Sequence, residues 1–396
     1  MELRSGTPQE AGLDPERLEV VRERCQEWID DGTHPAIVAL VVRNGVIALH
    51  EAYGRLGPEP DASPLRVDAI FPLASLTKPF TATALMILVD DGLVGLTRPV
   101  HEYVPEFTGE DKGLVCVHHL LTHTSGLEDT DVISYVRKHW DETASNESAN
   151  AVSQWLCLAA AAPLTRRPGE EMAYGNVNYI LVAEIVRRVS GLSFADFVRK
   201  RITEPLALES TSHQTSSGRS EGVVAIPAEW ATEFARLVRP PQEVAEETLV
   251  GEKDVFWKVT ARGPAGLVAS AIDVAVFGQL FLNGGSYGGR RILSASAVRE
   301  MTRNQIPGIS ARIFAMERHA EASWGYGWGI ASTEKWNSFL TLPNGAFAHS
   351  GGSGTCLWCD PAHGIVGVFL SVGRIQATGL IWSGDLFANA VYSALN

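Results

Sequence analysis

The chain has 396 residues, 45% hydrophobic and 20% charged, with a net charge of −13. That length can bury a large core and favours two lobes over one. The acidic balance argues against nucleic acid and anionic membranes as partners, since both reward basic patches. No apolar run reaches the roughly 18 residues that span a bilayer. The start, Met1-Glu2-Leu3-Arg4-Ser5-Gly6, lacks the basic-then-apolar pattern of a signal peptide, so a cytoplasmic location is expected.

Five cysteines (Cys25, Cys116, Cys157, Cys356, Cys359) are scattered and odd in number, unlike a disulfide framework. Cys356 and Cys359 form a C-x-x-C, but in an extended apolar stretch such residues face opposite ways. With no second C-x-x-C, neither a zinc site nor redox chemistry is expected.

In chain order, Asp14 to Asp31 reads as an amphipathic helix, with Leu18, Val21, Cys25, Trp28 and Ile29 at helical spacing. Two β-rich runs follow, Ala36 to Val42 and Val46 to Tyr53, joined by Asn44-Gly45, a strong hairpin signal. After a proline-containing loop comes Phe71-Pro72-Leu73-Ala74-Ser75-Leu76-Thr77-Lys78-Pro79-Phe80, the stretch around which the chemistry is organised. Proline at Pro79 is tolerable only near a first helical turn, which puts the helix start near Ser75. Residues three apart on a helix share a face, with Cβ atoms roughly 5–6 Å apart, so Ser75 and Lys78 point the same way. The helix continues through a nearly unbroken apolar run, Ala82 to Val89, to a stop at Asp90-Asp91-Gly92. A lysine at the mouth of such a helix loses solvation, which disfavours its charged form. A partly neutral amine beside a hydroxyl is a base next to a weak nucleophile, the recipe for covalent acyl transfer. The same S-x-x-K spacing recurs at Ser332 and Lys335, but in a polar stretch that opens no apolar helix and reads as a solvated turn.

Val115 to Leu121 leads into His123-Thr124-Ser125-Gly126-Leu127. His118, His119 and His123 invite a metal reading; without an H-E-x-x-H, structural imidazoles bonded to backbone are the better account. Glu128 to Thr165 is polar, then alanine-rich and helical. A turn at Pro168-Gly169-Glu170-Glu171 precedes Tyr174-Gly175-Asn176, followed by helices over Val177 to Gly191 and Phe194 to Leu206. From 211 to 259 the chain is rich in Ser, Pro and Glu, which reads as a surface excursion or a lid over the site. Ala265-Gly266-Leu267 opens a helix over Ile272 to Leu282. Strands are then expected at Trp324 to Ile330, Ala346 to Ser350, Thr355 to Cys359 and Val366 to Val372, with a closing helix over Trp382 to Leu395.

Strands at both ends and helices between them predict an α/β (α+β) chain. Residues 1–70 and 265–396 would form one discontinuous lobe around an antiparallel sheet, flanked by the first and last helices. Residues 71–264 would form a mostly helical lobe, with the active site at the seam.

Two further stretches join Ser75 and Lys78. A phenol near an ammonium is stabilised as phenolate, so Tyr174 is expected to accept or relay the Ser75 proton. Asn176 is placed to donate to a substrate carbonyl or to bond Lys78. His349-Ser350-Gly351-Gly352-Ser353-Gly354 is a glycine-rich strand end where a substrate can lie against backbone and an N–H can reach an oxyanion.

With these residues assembled, the sequence resembles the serine β-lactamase and penicillin-binding-protein superfamily, specifically class C β-lactamase-like esterases and D-amino peptidases. The resemblance runs through the S-x-x-K at Ser75 and Lys78, the stretch His118 to Leu127, and the Y-x-N at Tyr174 and Asn176. It continues through Ala265 to Gly285, Trp324 to Gly329 and His349 to Pro361. It implies that Ser75 is acylated, that Lys78 and Tyr174 handle its proton as general base and acid, and that the N–H groups of Ser75 and Gly352 form the oxyanion hole. No cofactor and no metal are expected. His349-Ser350-Gly351 stands where the family often has K-T-G. A histidine, mostly neutral at pH 7, weakens anionic substrates relative to neutral esters. The expected function is therefore a carboxylesterase acting on small neutral esters. The alternatives are a β-lactamase, D-amino peptidase or acyltransferase of the same family, and a non-catalytic binding protein on this fold. A further contender, Gly284-Gly285-Ser286-Tyr287-Gly288, matches G-x-S-x-G but follows a helix, whereas a nucleophile elbow needs strand, turn, helix.

Overall fold

The computed structural model describes residues 1–57, 61–141, 148–213, 265–313, 317–333, 342–372 and 382–395. The segment 211–259 and the second S-x-x-K lie largely outside the described residues, the latter through Lys335.

A seven-stranded sheet is assembled from both ends of the chain. Its order is Arg4–Ser5, Val46–Gly54, Ala36–Arg43, Ile365–Ser371, Thr355–Asp360, Phe347–Gly351 and Gly329–Ile330. Every neighbouring pair is antiparallel except the short parallel edge Arg4–Ser5 against Val46–Gly54. The hairpin at Asn44-Gly45 follows from its residues: φ is +50° at Asn44 and +77° at Gly45, the left-handed pair a tight two-residue turn demands.

Ala36–Arg43 is buried on both sides, and its period-2 alternation assigns the two faces. Ile37, Ala39 and Val41 pack with the flanking helices Pro15–Asp30 and Trp382–Ser393. Val38, Leu40 and Val42 join the larger core on the other face, with helix Ala271–Leu282 and the helices of the middle section. Cys356 and Cys359 divide between these two cores, as extended backbone requires.

Helix Pro15–Asp30 is started by Asp14, whose carboxylate accepts from the N–H groups of Glu16 and Arg17, with Pro15 in the first turn. Helix Asn176–Ser190 ends at Gly191, left-handed at φ +70°. Phe194 to Leu206 begins as the helix Phe194–Val198 and continues into a wider π-helical turn, Arg199–Thr203.

Two expected elements differ. Leu267–Ala269 is a short strand between Phe71–Pro72 and Ser212–His213, and the helix begins only at Ala271, capped by Ser270. The run Trp324 to Ile330 is a turn rather than a strand. Gly327 takes φ +88°, a bridge joins Trp324 to Gly329, and only Gly329–Ile330 belongs to the sheet. A Cβ at Gly327 would lie 2.7 Å from Ala82 Cβ, so the loop passes directly over the buried helix. No helix among the described residues is long and apolar enough to cross a membrane.

Candidate active site

Ser75 sits in a single 3-10 turn, Ala74–Thr77, which runs into the helix Lys78–Asp90 with Pro79 in its first turn. The helix is buried from Lys78 to Leu88. That burial fixes the amine: Lys78 Nζ lies 2.9 Å from Ser75 Oγ and 2.9 Å from Asn176 Oδ1. Desolvation lowers the Lys78 pKa to about 7, although the nearby Asp129 carboxylate opposes the change.

The strand Glu171–Ala173 delivers Tyr174 to the same place, and its hydroxyl is hydrogen-bonded to Ser75. Lys78 Nζ is 4.9 Å from the centre of the Tyr174 ring and 5.9 Å from that of Tyr179. Here the structure corrects an expectation. Burial raises the Tyr174 pKa well above its ordinary value, more than the Ser75 hydrogen bond lowers it, so Tyr174 is a phenol and not a phenolate base. Proximity to the lysine does not reverse this.

Asn176 opens the helix Asn176–Ser190 and turns its amide oxygen to Lys78. Its backbone N–H donates to Asp129 Oδ2 at 2.7 Å, and that of Val177 to Asp129 Oδ1 at 2.9 Å. Asp129 was not among the residues singled out from sequence. It begins a second helix, Asp129–His139, yet its carboxylate caps a helix elsewhere in the chain. No local pattern announces such a cap.

His349 lies on the buried strand Phe347–Gly351, which packs against the Ala74–Thr77 turn. Its Nδ1 is 2.9 Å from the Ser350 carbonyl oxygen. A carbonyl only accepts, so Nδ1 carries the proton and Nε2 is left as a lone-pair acceptor. Nε2 is buried with no hydrogen-bond partner among the described residues. Desolvation, with Lys78 close by, lowers the His349 pKa to about 3, and the ring is neutral across the physiological range. Gly351 has no room for a side chain, since a Cβ there would meet the Leu73 carbonyl oxygen at 2.2 Å. Beyond it, Ser353 Oγ donates to the Pro72 carbonyl at 2.8 Å and Thr355 Oγ donates to that of Leu73 at 3.0 Å. The glycine-rich end, with Ser350 and Gly352 flanking Gly351, is thus clamped to the chain just before Ser75.

His123 is a buried wall of the same site. Its ring lies against Tyr174 and Tyr179, with centroids 4.6 and 4.9 Å away, and edge-on to Trp324 at 5.4 Å. Its Nδ1 accepts from the Gly175 N–H at 3.3 Å. The helix Val117–Leu121 ends before it, and His123 takes φ +57°, so it does not share a helix face with His119. Cys116, His118 and His119 bring possible ligand atoms within 4.8 Å of one another. However, His119 Nδ1 accepts the Cys116 backbone N–H at 3.0 Å, which commits its lone pair and leaves the proton on Nε2. Cys116 and His119 form the capping box of the helix Val117–Leu121. Of the aromatic run, Trp324 contacts His349 and Tyr174 at the site, while Trp328 packs in the core with Phe277, Phe281 and Phe347. Ser286 lies in the small hairpin Ser286–Tyr287 with Arg290–Arg291, after a helix, and has no elbow geometry.

A family model described as Beta-lactamase matches residues 21–377. A Salmonella schwarzengrund (strain CVM19633) protein named "Putative D-alanyl-D-alanine carboxypeptidase" is 27% identical over 391 residues, covering 93% of this chain and 85% of that one. Among solved structures, a penicillin-binding-protein homologue from Caulobacter crescentus superposes with a TM-score of 0.74 at 23% identity, covering 97% of this chain and 99% of the other. A family VIII carboxylesterase does so with a TM-score of 0.73 at 20% identity, covering 97% and 99%. At these identities the superpositions establish a shared fold.

Proposed function

The chain belongs to the β-lactamase family of serine hydrolases, and on that premise we propose that it is a carboxylesterase cleaving small neutral esters through a Ser75 acyl-enzyme. The observation that carries the ester preference is His349. Where the family often has a lysine, this chain has a buried imidazole with no charge, beside Tyr174 and Trp324, whose Nε2 is an acceptor without a hydrogen-bond partner among the described residues. Such a group offers nothing to a substrate carboxylate and repels its lone pairs.

In the mechanism we propose, neutral Lys78 takes the Ser75 Oγ proton as that oxygen attacks the ester carbonyl. The backbone N–H groups of Ser75 and Gly352 hold the oxyanion; one such donor is typically worth about 2.7–4 kcal/mol. The Tyr174 hydroxyl protonates the departing alkoxide and recovers a proton from the Lys78 ammonium. Water then attacks the acyl-enzyme with the same pair acting in reverse, releasing the acid and restoring the Ser75 hydroxyl. In a second reading, hydrolysis of D-amino peptides draws on the name of the Salmonella relative and hydrolysis of β-lactams on the family model. Hydrolysis of p-nitrophenyl acetate tests the proposal: Ser75→Ala should abolish it and Ser286→Ala should leave it intact. Near-normal turnover by Ser75→Ala would refute the mechanism.

A further inference from the structure

The hydrogen bonds of Asp129 determine how Asn176 is presented. Its two oxygens accept the backbone N–H groups of Asn176 and Val177, at 2.7 and 2.9 Å, across the N-terminus of the helix Asn176–Ser190. The Asn176 side chain is also hydrogen-bonded to this carboxylate. A side-chain amide has one accepting end and one donating end, and a carboxylate only accepts. The NH2 of Asn176 must therefore face Asp129, which turns its oxygen toward Lys78, 2.9 Å away. The space is built for this arrangement. A Cβ on Gly175 would lie 2.6 Å from Asp129 Oδ1, although Gly175 has an ordinary extended backbone that any residue adopts.

We propose that Asp129 is a positioning residue for the acylation chemistry: it fixes the amide orientation of Asn176, and with its negative charge it holds the Lys78 amine in place and sets the pH at which that amine becomes a base. This rests on the Ser75 acyl-enzyme reading above. The other groups facing Lys78 are the Ser75 hydroxyl, the phenols of Tyr174 and Tyr179, and the imidazoles of His123 and His349. Both imidazoles lose their charge through burial, whereas the N–H donors that Asn176 and Val177 direct at Asp129 favour its carboxylate form, opposite in charge to the ammonium. It also favours the protonated amine, against desolvation. Burial raises the Asp129 pKa, while the Asn176 and Val177 N–H groups and Lys78 oppose the rise.

The test is the pH profile of kcat/KM for p-nitrophenyl acetate in Asp129→Asn and Gly175→Ala. The first removes the charge; the second keeps it but drives the carboxylate away. Both should lower kcat by on the order of 10²-fold with KM nearly unchanged, as expected when a reacting group is misplaced. Both should also move the acidic limb of the profile down by about one pH unit, because the amine loses a nearby opposite charge. A merely structural role would lower activity without moving the limb. An unmoved limb, or kcat within twofold of the parent, overturns the proposal. If Asp129→Asn does not fold, Gly175→Ala decides the matter alone. If no ester is hydrolysed, the rate of Ser75 labelling by a fluorophosphonate gives the same profile, so failure of the ester reading is separable from failure of this one.

Discussion

The Lys78 amine stands 2.9 Å from the Ser75 hydroxyl at the head of a buried helix, and that burial lowers its pKa to about 7. An ordinary lysine would be almost wholly protonated at neutral pH and useless as a base. In the account above the neutral amine is the active form. Ester kcat/KM should therefore rise with pH through an inflection near 7 and fall away below it. A profile flat from pH 5.5 to 8.5 would mean that Lys78 is not the base.

Tyr174 is hydrogen-bonded to Ser75 and kept as a phenol by burial, which fits it to give a proton and not to take one. Tyr174→Phe should therefore cost most where the leaving alkoxide is most basic. For simple alkyl esters the loss should reach about 10²–10⁴-fold, the usual worth of general acid catalysis. For p-nitrophenyl esters, whose leaving group needs no proton, it should be far smaller. Equal losses on both would contradict the assignment.

His349 presents a lone pair where a cation would attract a carboxylate. The parent protein should hydrolyse short-chain esters with much higher kcat/KM than nitrocefin. His349→Lys should narrow that ratio by improving KM for the anionic substrate. Comparable parent values on the two substrates would overturn the ester preference.

Several buried or half-buried histidines also tie stability to pH. Burial lowers the pKa of His34 and of His213 to about 4, and that of His349 to about 3. Below an unfolded-state pKa near 6.5 the unfolded chain binds protons that the folded chain refuses, so folding stability falls as pH falls from there toward 4. Each fully coupled group contributes up to about 1.4 kcal/mol per pH unit in that window. The melting temperature should decline accordingly, and His34→Gln should flatten the decline. A melting temperature constant from pH 7 to 4.5 would contradict this.

Much of this was legible in the sequence because the deciding signals are local. Asn44-Gly45, the β-rich runs Ala36 to Val42 and Thr355 to Cys359, and Pro79 one residue after Lys78 each specify backbone geometry from neighbours alone. Trp324, Tyr326 and Trp328 misled because alternation suggests a strand, whereas Gly327 at φ +88° bends the chain over Ala82. Asp129 was invisible because its partners are the N–H groups of a helix 47 residues on. The state of Tyr174 was misjudged because charge proximity is legible as chemistry, while the depth of burial that overrides it appears only in the assembled fold.

The central claim is that Ser75 carries the acyl group. Treating the purified protein with a fluorophosphonate and mapping the modified peptide tests it most directly. A single adduct on Ser75, absent in Ser75→Ala, is the predicted result; an adduct on Ser286, or ester hydrolysis that persists with Ser75 unlabelled, would contradict it.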